Sequence, residues 1–130
     1  MSAEQEPDNP YYPFPRLLVD DDLANIDANI LTGIKARIAA YRQRFPHGEP
    51  SYKRKAPYRV FIYAEDIMLM KGKSLRTAQR VLQNTRILLE KKPNSDVTIT
   101  EFCTVNDWPL DETQAFLNRL DEIKYNDMEK

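Results

Sequence analysis

Five side chains within one short stretch have the chemistry to read a DNA duplex: Arg76, Thr77, Arg80, Gln83 and Asn84. Arginine can form two parallel hydrogen bonds to a guanine edge, and asparagine or glutamine can do the same to adenine. Threonine suits bases or phosphates. Lys71, Lys73, Ser74 and Arg86 stand around them as candidate phosphate contacts, and Lys91 and Lys92 follow. No acidic residue intervenes between Asp66 and Glu90. Such chemistry needs these groups on one exposed helix face that can enter a groove. A solvated helical hairpin would carry a similar polar face, and at this point both readings stand.

The elements that would position this face are readable over residues 64–92. Ile67, Met70, Leu75, Ala78, Val81 and Leu82 recur at three- and four-residue spacing on either side of Gly72. That pattern predicts two short helices packed at a steep angle around a tight turn. Gly72 stands where a helix must end and a positive φ is tolerated. Ser74 is a good N-cap for the second helix, able to accept from the backbone N–H near Thr77. Small Ala78 suits the point where the two helices cross.

On these residues the segment resembles the helix-turn-helix of small bacterial DNA-binding proteins, of the excisionase-like and mobile-element regulator type. The matching residues are Ala64, Glu65, Asp66 and Ile67, then Gly72, then the run Ser74-Leu75-Arg76-Thr77-Ala78-Gln79-Arg80. Residues 97–103, VTITEFC, are similar to a block such proteins often carry after the first motif. The resemblance covers roughly residues 58–120 and leaves the first third of the chain unmatched. It implies double-stranded DNA as partner and a role as a transcriptional regulator or an architectural factor.

Charge is partitioned along the chain in the same sense. Residues 1–34 hold one basic and seven acidic side chains, residues 35–92 fifteen and four, and residues 93–130 three and nine. A strongly basic middle therefore coincides with the helix-turn-helix, although the formal net charge is only −1. This is the footprint of a polyanion binder, or else of acidic ends that fold back to neutralise the middle.

The 130 residues suffice for one small domain with a modest core. The organisation expected is mainly α: a helix-turn-helix core with a short two-stranded β pairing, preceded by a long amphipathic helix. Residues 1–21 read as an acidic tail rich in proline and tyrosine, with little reason to order. Its Tyr11, Tyr12 and Phe14 could dock as an extended strap. Residues 22–46 read as the amphipathic helix, on the four-residue spacing of Ile26, Ile30, Ile34 and Ile38. Asp20, Asp21 and Asp22 would complement its N-terminal dipole, and Pro46 would stop it. Its expected role is packing over the helix-turn-helix, the alternative being a homodimer contact. Residues 47–58 form a basic linker in which Lys53, Arg54 and Lys55 could track phosphates.

Residues 59–93 and 94–125 read as two units of one degenerate repeat. Sliding the chain by 35 residues aligns Asp66 with Glu101, Ile67 with Phe102, Met70 with Val105, Leu75 with Leu110 and Leu82 with Leu117. Each unit would run strand, helix, turn, helix, and the two strands could pair. The second unit is acidic, carrying Asp111, Glu112, Asp121 and Glu122 against Arg119, so it is expected to buttress the first or to meet a basic partner. Trp108 and Cys103 are expected in the core.

No nucleophile–histidine pairing, phosphate-cradling glycine loop or cluster of metal ligands is visible, so neither an enzyme nor a metal or cofactor is expected. The single cysteine excludes an internal disulfide, no run is apolar enough to span a membrane, and the N-terminus is too polar for a signal peptide. The expected location is cytoplasmic. Two functions remain: a sequence-specific double-stranded DNA binder that reads the major groove with the helix starting at Ser74, or a protein–protein adaptor using the 22–46 helix and the acidic C-terminal unit.

Overall fold

The computed structural model describes residues 14–49 and 59–128. Among these residues the chain is mainly helical, with five α-helices and one short antiparallel pair of strands. β1 (Phe61–Ile62) leads into α2 (Ala64–Lys71), and α3 (Leu75–Leu88) follows across the turn. Gly72 closes α2 in the left-handed region at φ 64, its N–H donating to the Met68 carbonyl at 2.7 Å. Ser74 caps α3 by accepting from the Thr77 N–H at 3.2 Å. The helix-turn-helix therefore forms where glycine and serine place it.

The second unit repeats this arrangement. β2 (Val97–Thr98), α4 (Ile99–Asn106) and α5 (Leu110–Met128) follow the same order, and Asp107 takes the left-handed position that Gly72 holds in the first unit, at φ 58. Asp66 accepts from the Tyr63 N–H, and Glu101, its counterpart 35 residues on, accepts from the Thr98 N–H. Both carboxylates thus supply the return half of a capping box. Ile62 pairs with Val97 and Phe61 with Thr98. Ile62 and Val97 are repeat equivalents, so an approximate two-fold axis passes through their pairing at the centre of the core, where both are buried. The tethers between units also correspond. Arg86 of α3 donates to the Ser95 carbonyl just before β2, while Asp121, its counterpart in α5, accepts from Arg59 just before β1.

Arg59 is the strongest of these ties. Its guanidinium bonds both Asp121 and the buried Asp66, and its Tyr63 neighbour lies under the cation at 5.8 Å. Burial by itself would lower the pKa of Arg59, but the Asp121 and Asp66 carboxylates more than offset it, so the pKa rises above the ordinary arginine value. Lys91, just after α3, holds Glu101 of the second unit at 3.0 Å.

Two expectations for the N-terminal third are corrected. Residues 14–21 are ordered: Phe14, Leu17 and Val19 are buried in the core. Phe14 stacks on Trp108 with ring centroids 5.1 Å apart, and Trp108 meets Phe102 edge-on. The strap is fixed by side chains that bond its main chain. Asn106 accepts from the Leu18 N–H at 2.9 Å, and the Trp108 indole donates to the Arg16 carbonyl at 3.2 Å. Residues 1–13, with Tyr11 and Tyr12, lie outside the described residues.

The long helix also starts later than its periodicity suggests. A 3₁₀ turn (Leu23–Asn25) comes first, Ile26 is extended, and α1 (Ala28–Arg44) begins behind Asp27. Asp27 accepts from the Asn29 N–H at 2.7 Å and so takes the capping role that the aspartates at 20–22 were expected to support. Nor does α1 cover the first helix-turn-helix. Ile34 and Ile38 turn toward α4, and Arg37 donates to the Thr104 and Val105 carbonyls at the C-terminal end of that helix. Its outward positions, Thr32, Ala36, Ala39 and Gln43, carry no large apolar side chain, and Ile34 and Ile38 face the protein's own core. Beyond the end of α1, Glu49 accepts from the hydroxyls of Tyr41 in α1 and Thr98 in β2, each at 2.5 Å. Burial and that carboxylate hold the Tyr41 pKa far above the tyrosine range.

Because Phe14 is core rather than tail, Phe14→Ala should destabilise the protein by about 3–5 kcal/mol in urea unfolding. Arg59→Met should cost a similar ~3–5 kcal/mol, since it leaves the Asp66 carboxylate buried without its cation.

Candidate nucleic-acid interface

The inward side of α3 is set by Ala78, Val81, Leu82 and Thr85, all buried. Residues seven and eleven positions apart return to one face of a helix, so Arg76, Gln83 and Ile87 share the opposite side. Arg76 and Gln79 are exposed, Gln83 is half-buried, and Ile87 is 51% exposed at the C-terminal end of this face. Lys73 and Ser74 stand exposed at the turn that presents it. Among the described residues, Arg76 and Lys73 have no ion-pair partner.

Of the expected base-reading residues, Arg76 is the one fully open to solvent. Thr77 is half-buried, and its hydroxyl lies 3.1 Å from that of Ser74 within the cap. Arg80 is half-buried at the edge of the strap, its guanidinium 3.5 Å from the Asp20 carbonyl, a separation at which a hydrogen bond is weak. Gln83 accepts from Arg86 at 3.2 Å.

Asn84 is not a reader. It is buried, and its amide nitrogen donates to the Val19 carbonyl at 2.9 Å and the Asp21 carbonyl at 2.8 Å. It holds the strap.

The expected phosphate contacts divide in the same way. Lys73 is free to meet a phosphate, and Ser74 is exposed although its hydroxyl serves the cap. Lys71 is buried, with its ammonium 3.3 Å from the Phe14 carbonyl, so it secures the strap instead. Arg86 is half-buried between Gln83 and the Ser95 carbonyl, to which its Nε donates at 2.6 Å, and so ties α3 to β2. Lys53, Arg54 and Lys55 lie outside the described residues.

Beside the face runs an open groove of about 430 Å³, lined in part by Tyr63, Glu65, Gln79, Gln83, Arg86 and Asp96. On the other flank the Asn84 bonds hold residues 20–22 against α3, with Asp21 and Asp22 exposed. These carboxylates oppose an approaching phosphate at short range, so the potential of the face is less positive than the charge of residues 35–92 suggests. Sequence reasoning missed Gln79 and Ile87 on this face. The seven- and eleven-residue spacing from Arg76 was the signal that could have found Ile87.

The second unit presents Asp111, Glu112 and Glu122 outward on α5, with Arg119 among them. Asp121 does not belong to this acidic face, because it is paired with Arg59. Trp108 and Cys103 are in the core as expected, and burial pushes the Cys103 thiol up to about 11. Among the described residues no group of His, Cys, Asp and Glu side chains could hold a metal ion, and no helix is long and apolar enough to cross a membrane. The chain matches no family model, no curated protein and no solved structure.

Removing the Asn84 side chain separates scaffold from surface. Asn84→Ala removes the donor to the buried Val19 carbonyl and to the Asp21 carbonyl and should lower stability by about 1–3 kcal/mol. Arg76→Ala, on the open face, should stay within about 0.5 kcal/mol of the parent in the same urea titration.

Proposed function

We propose that the protein binds double-stranded DNA through the helix-turn-helix of α2 and α3, as a regulator or an architectural factor. The observation that carries this reading is the outward face of α3. Arg76, Gln79 and Gln83 lie on a helix without a carboxylate of its own, Arg80 flanks them, and Lys73 stands at the turn. Arginine and glutamine side chains match the guanine and adenine edges of the major groove, and Lys73 matches a phosphate beside it. The rigidity of the mount supports the reading as well. The Gly72 turn, the Ser74 cap and the buried Ala78 fix the direction in which the face points. Ile87 would lie among the bases, where an apolar side chain suits a thymine methyl.

The adaptor reading keeps one supporting observation, the outward acidic face of α5. Its other half is weakened, because the apolar side of α1 is occupied by α4.

Selection from pooled random duplexes at low and near-physiological salt tests the proposal. An enriched motif is expected, and Arg76→Ala should weaken binding to it by about 1–3 kcal/mol, as loss of one bidentate base contact would. Asp21→Asn with Asp22→Asn should tighten binding, since both carboxylates border the face. Absence of binding even at low salt would overturn the proposal.

A further inference from the structure

The two units present opposite charge at equivalent positions. On the outward face of α3 stand Arg76, Arg80, Gln83 and Ile87. Their counterparts 35 residues on are Asp111, Ala115, Asn118 and Glu122 of α5. Because the units are related by an approximate two-fold axis, these are corresponding surfaces of one architecture: one presents Arg76 and Arg80 with Asp21 and Asp22 at its border, the other Asp111, Glu112 and Glu122 with Arg119 among them. Ile87 is more than half exposed on the α3 face, and on α5 the exposed Ile123 lies at the edge of the acidic face, a quarter turn round from Glu122. Arg76 on one face, and Asp111, Glu112 and Glu122 on the other, have no ion-pair partner among the described residues.

We infer that the α3 face of one copy of this protein docks on the α5 face of a second copy, joined by Arg76 and Arg80 against Asp111 and Glu122. Three properties support this occupant. The charges are complementary within a single sequence, so the partner is always present. The formal net charge of −1 gives two copies almost no overall repulsion to overcome. Each face also combines ionic and apolar groups, as helix–helix contacts between proteins do.

The contact is head-to-tail, because it joins two different surfaces. Each docked copy keeps one face free, and association continues into short chains or a closed ring. It uses the same α3 face as the proposed DNA contact, so duplex DNA and a second copy would compete for Arg76. The inference itself does not depend on DNA binding.

The test is sedimentation velocity on nucleic-acid-free full-length protein, over a range of concentrations at low and high salt. Concentration-dependent association at low salt that disperses at high salt is expected. Two variants then resolve the geometry: Arg76→Glu alters only the α3 face, and Asp111→Lys with Glu122→Lys alters only the α5 face. Each alone should weaken self-association on the order of a hundredfold, because like charges then meet across the contact. Mixed together they should recover the association that each has lost. The intact acidic face of the first variant accepts the intact basic face of the second, and the two altered faces, their charges exchanged, attract one another again. Unchanged thermal unfolding of both variants shows that they are folded. Protein that is monomeric at low salt, association insensitive to both variants, or a mixture that stays monomeric would each overturn the inference. A monomer that still selects a DNA motif would sink this contact alone and leave the DNA reading intact.

Discussion

An extended segment that enters a core without joining a sheet must find partners for its main-chain polar groups somewhere, because buried amides and carbonyls without hydrogen bonds are costly. Residues 14–21 meet that constraint with side chains from the rest of the protein. Lys71, Asn84, Asn106 and Trp108, from α2, α3, the end of α4 and the turn after it, each bond the backbone of the strap. The two helix-turn-helix units are thereby tied to one common strip of chain. Several polar residues that look available for function are committed to this task. Asn84 and Lys71 are the clearest cases, and what remains open on α3 is defined by subtraction.

The same economy of polar groups governs the contact between the units. Ile62 against Val97 supplies a dry centre, while Arg59, Arg86 and Lys91 close its margins. The pairing of Arg59 with both Asp66 and Asp121 explains why a carboxylate can be buried at the third position of α2. It cancels the charge and completes the helix cap at once. Hydrogen bonds to charged groups are the stronger kind, so a two-residue strand pairing can suffice as a junction.

Local signals in the sequence were readable because they act locally. Gly72, Ser74 and the 35-residue correspondence lie within a turn or two of what they determine, and the two strands do pair. The aromatic cluster at 11–14 suggested a docked strap, but not how far its order extends or where it docks. Whether Phe14 docks depends on Trp108, and whether Asn84 reads a base or holds a strap depends on residues more than sixty positions away. The start of α1 failed for a subtler reason. The isoleucine spacing runs unbroken through Ile26, but Asp27 satisfies the first amides and begins the helix behind it. Periodicity identified the buried side and could not place the boundary. On α3 the same limit applies: helical spacing separated inside from outside, but not the outside that is wet from the part the strap covers.

The path of the strap also has a consequence for biosynthesis. Residues 14–21 leave the ribosome long before Asn106 and Trp108, so their core positions do not yet exist when they emerge. Phe14, Leu17 and Val19 must wait as an apolar, unsheltered segment until the second unit has been made. Chains grow by about 5–20 residues per second, so the wait lasts several seconds. During that interval the first helix-turn-helix has already emerged and must do without the strap that Asn84 will later hold. A nascent-chain chaperone would meet Phe14, Leu17 and Val19 while part of their core is still being made.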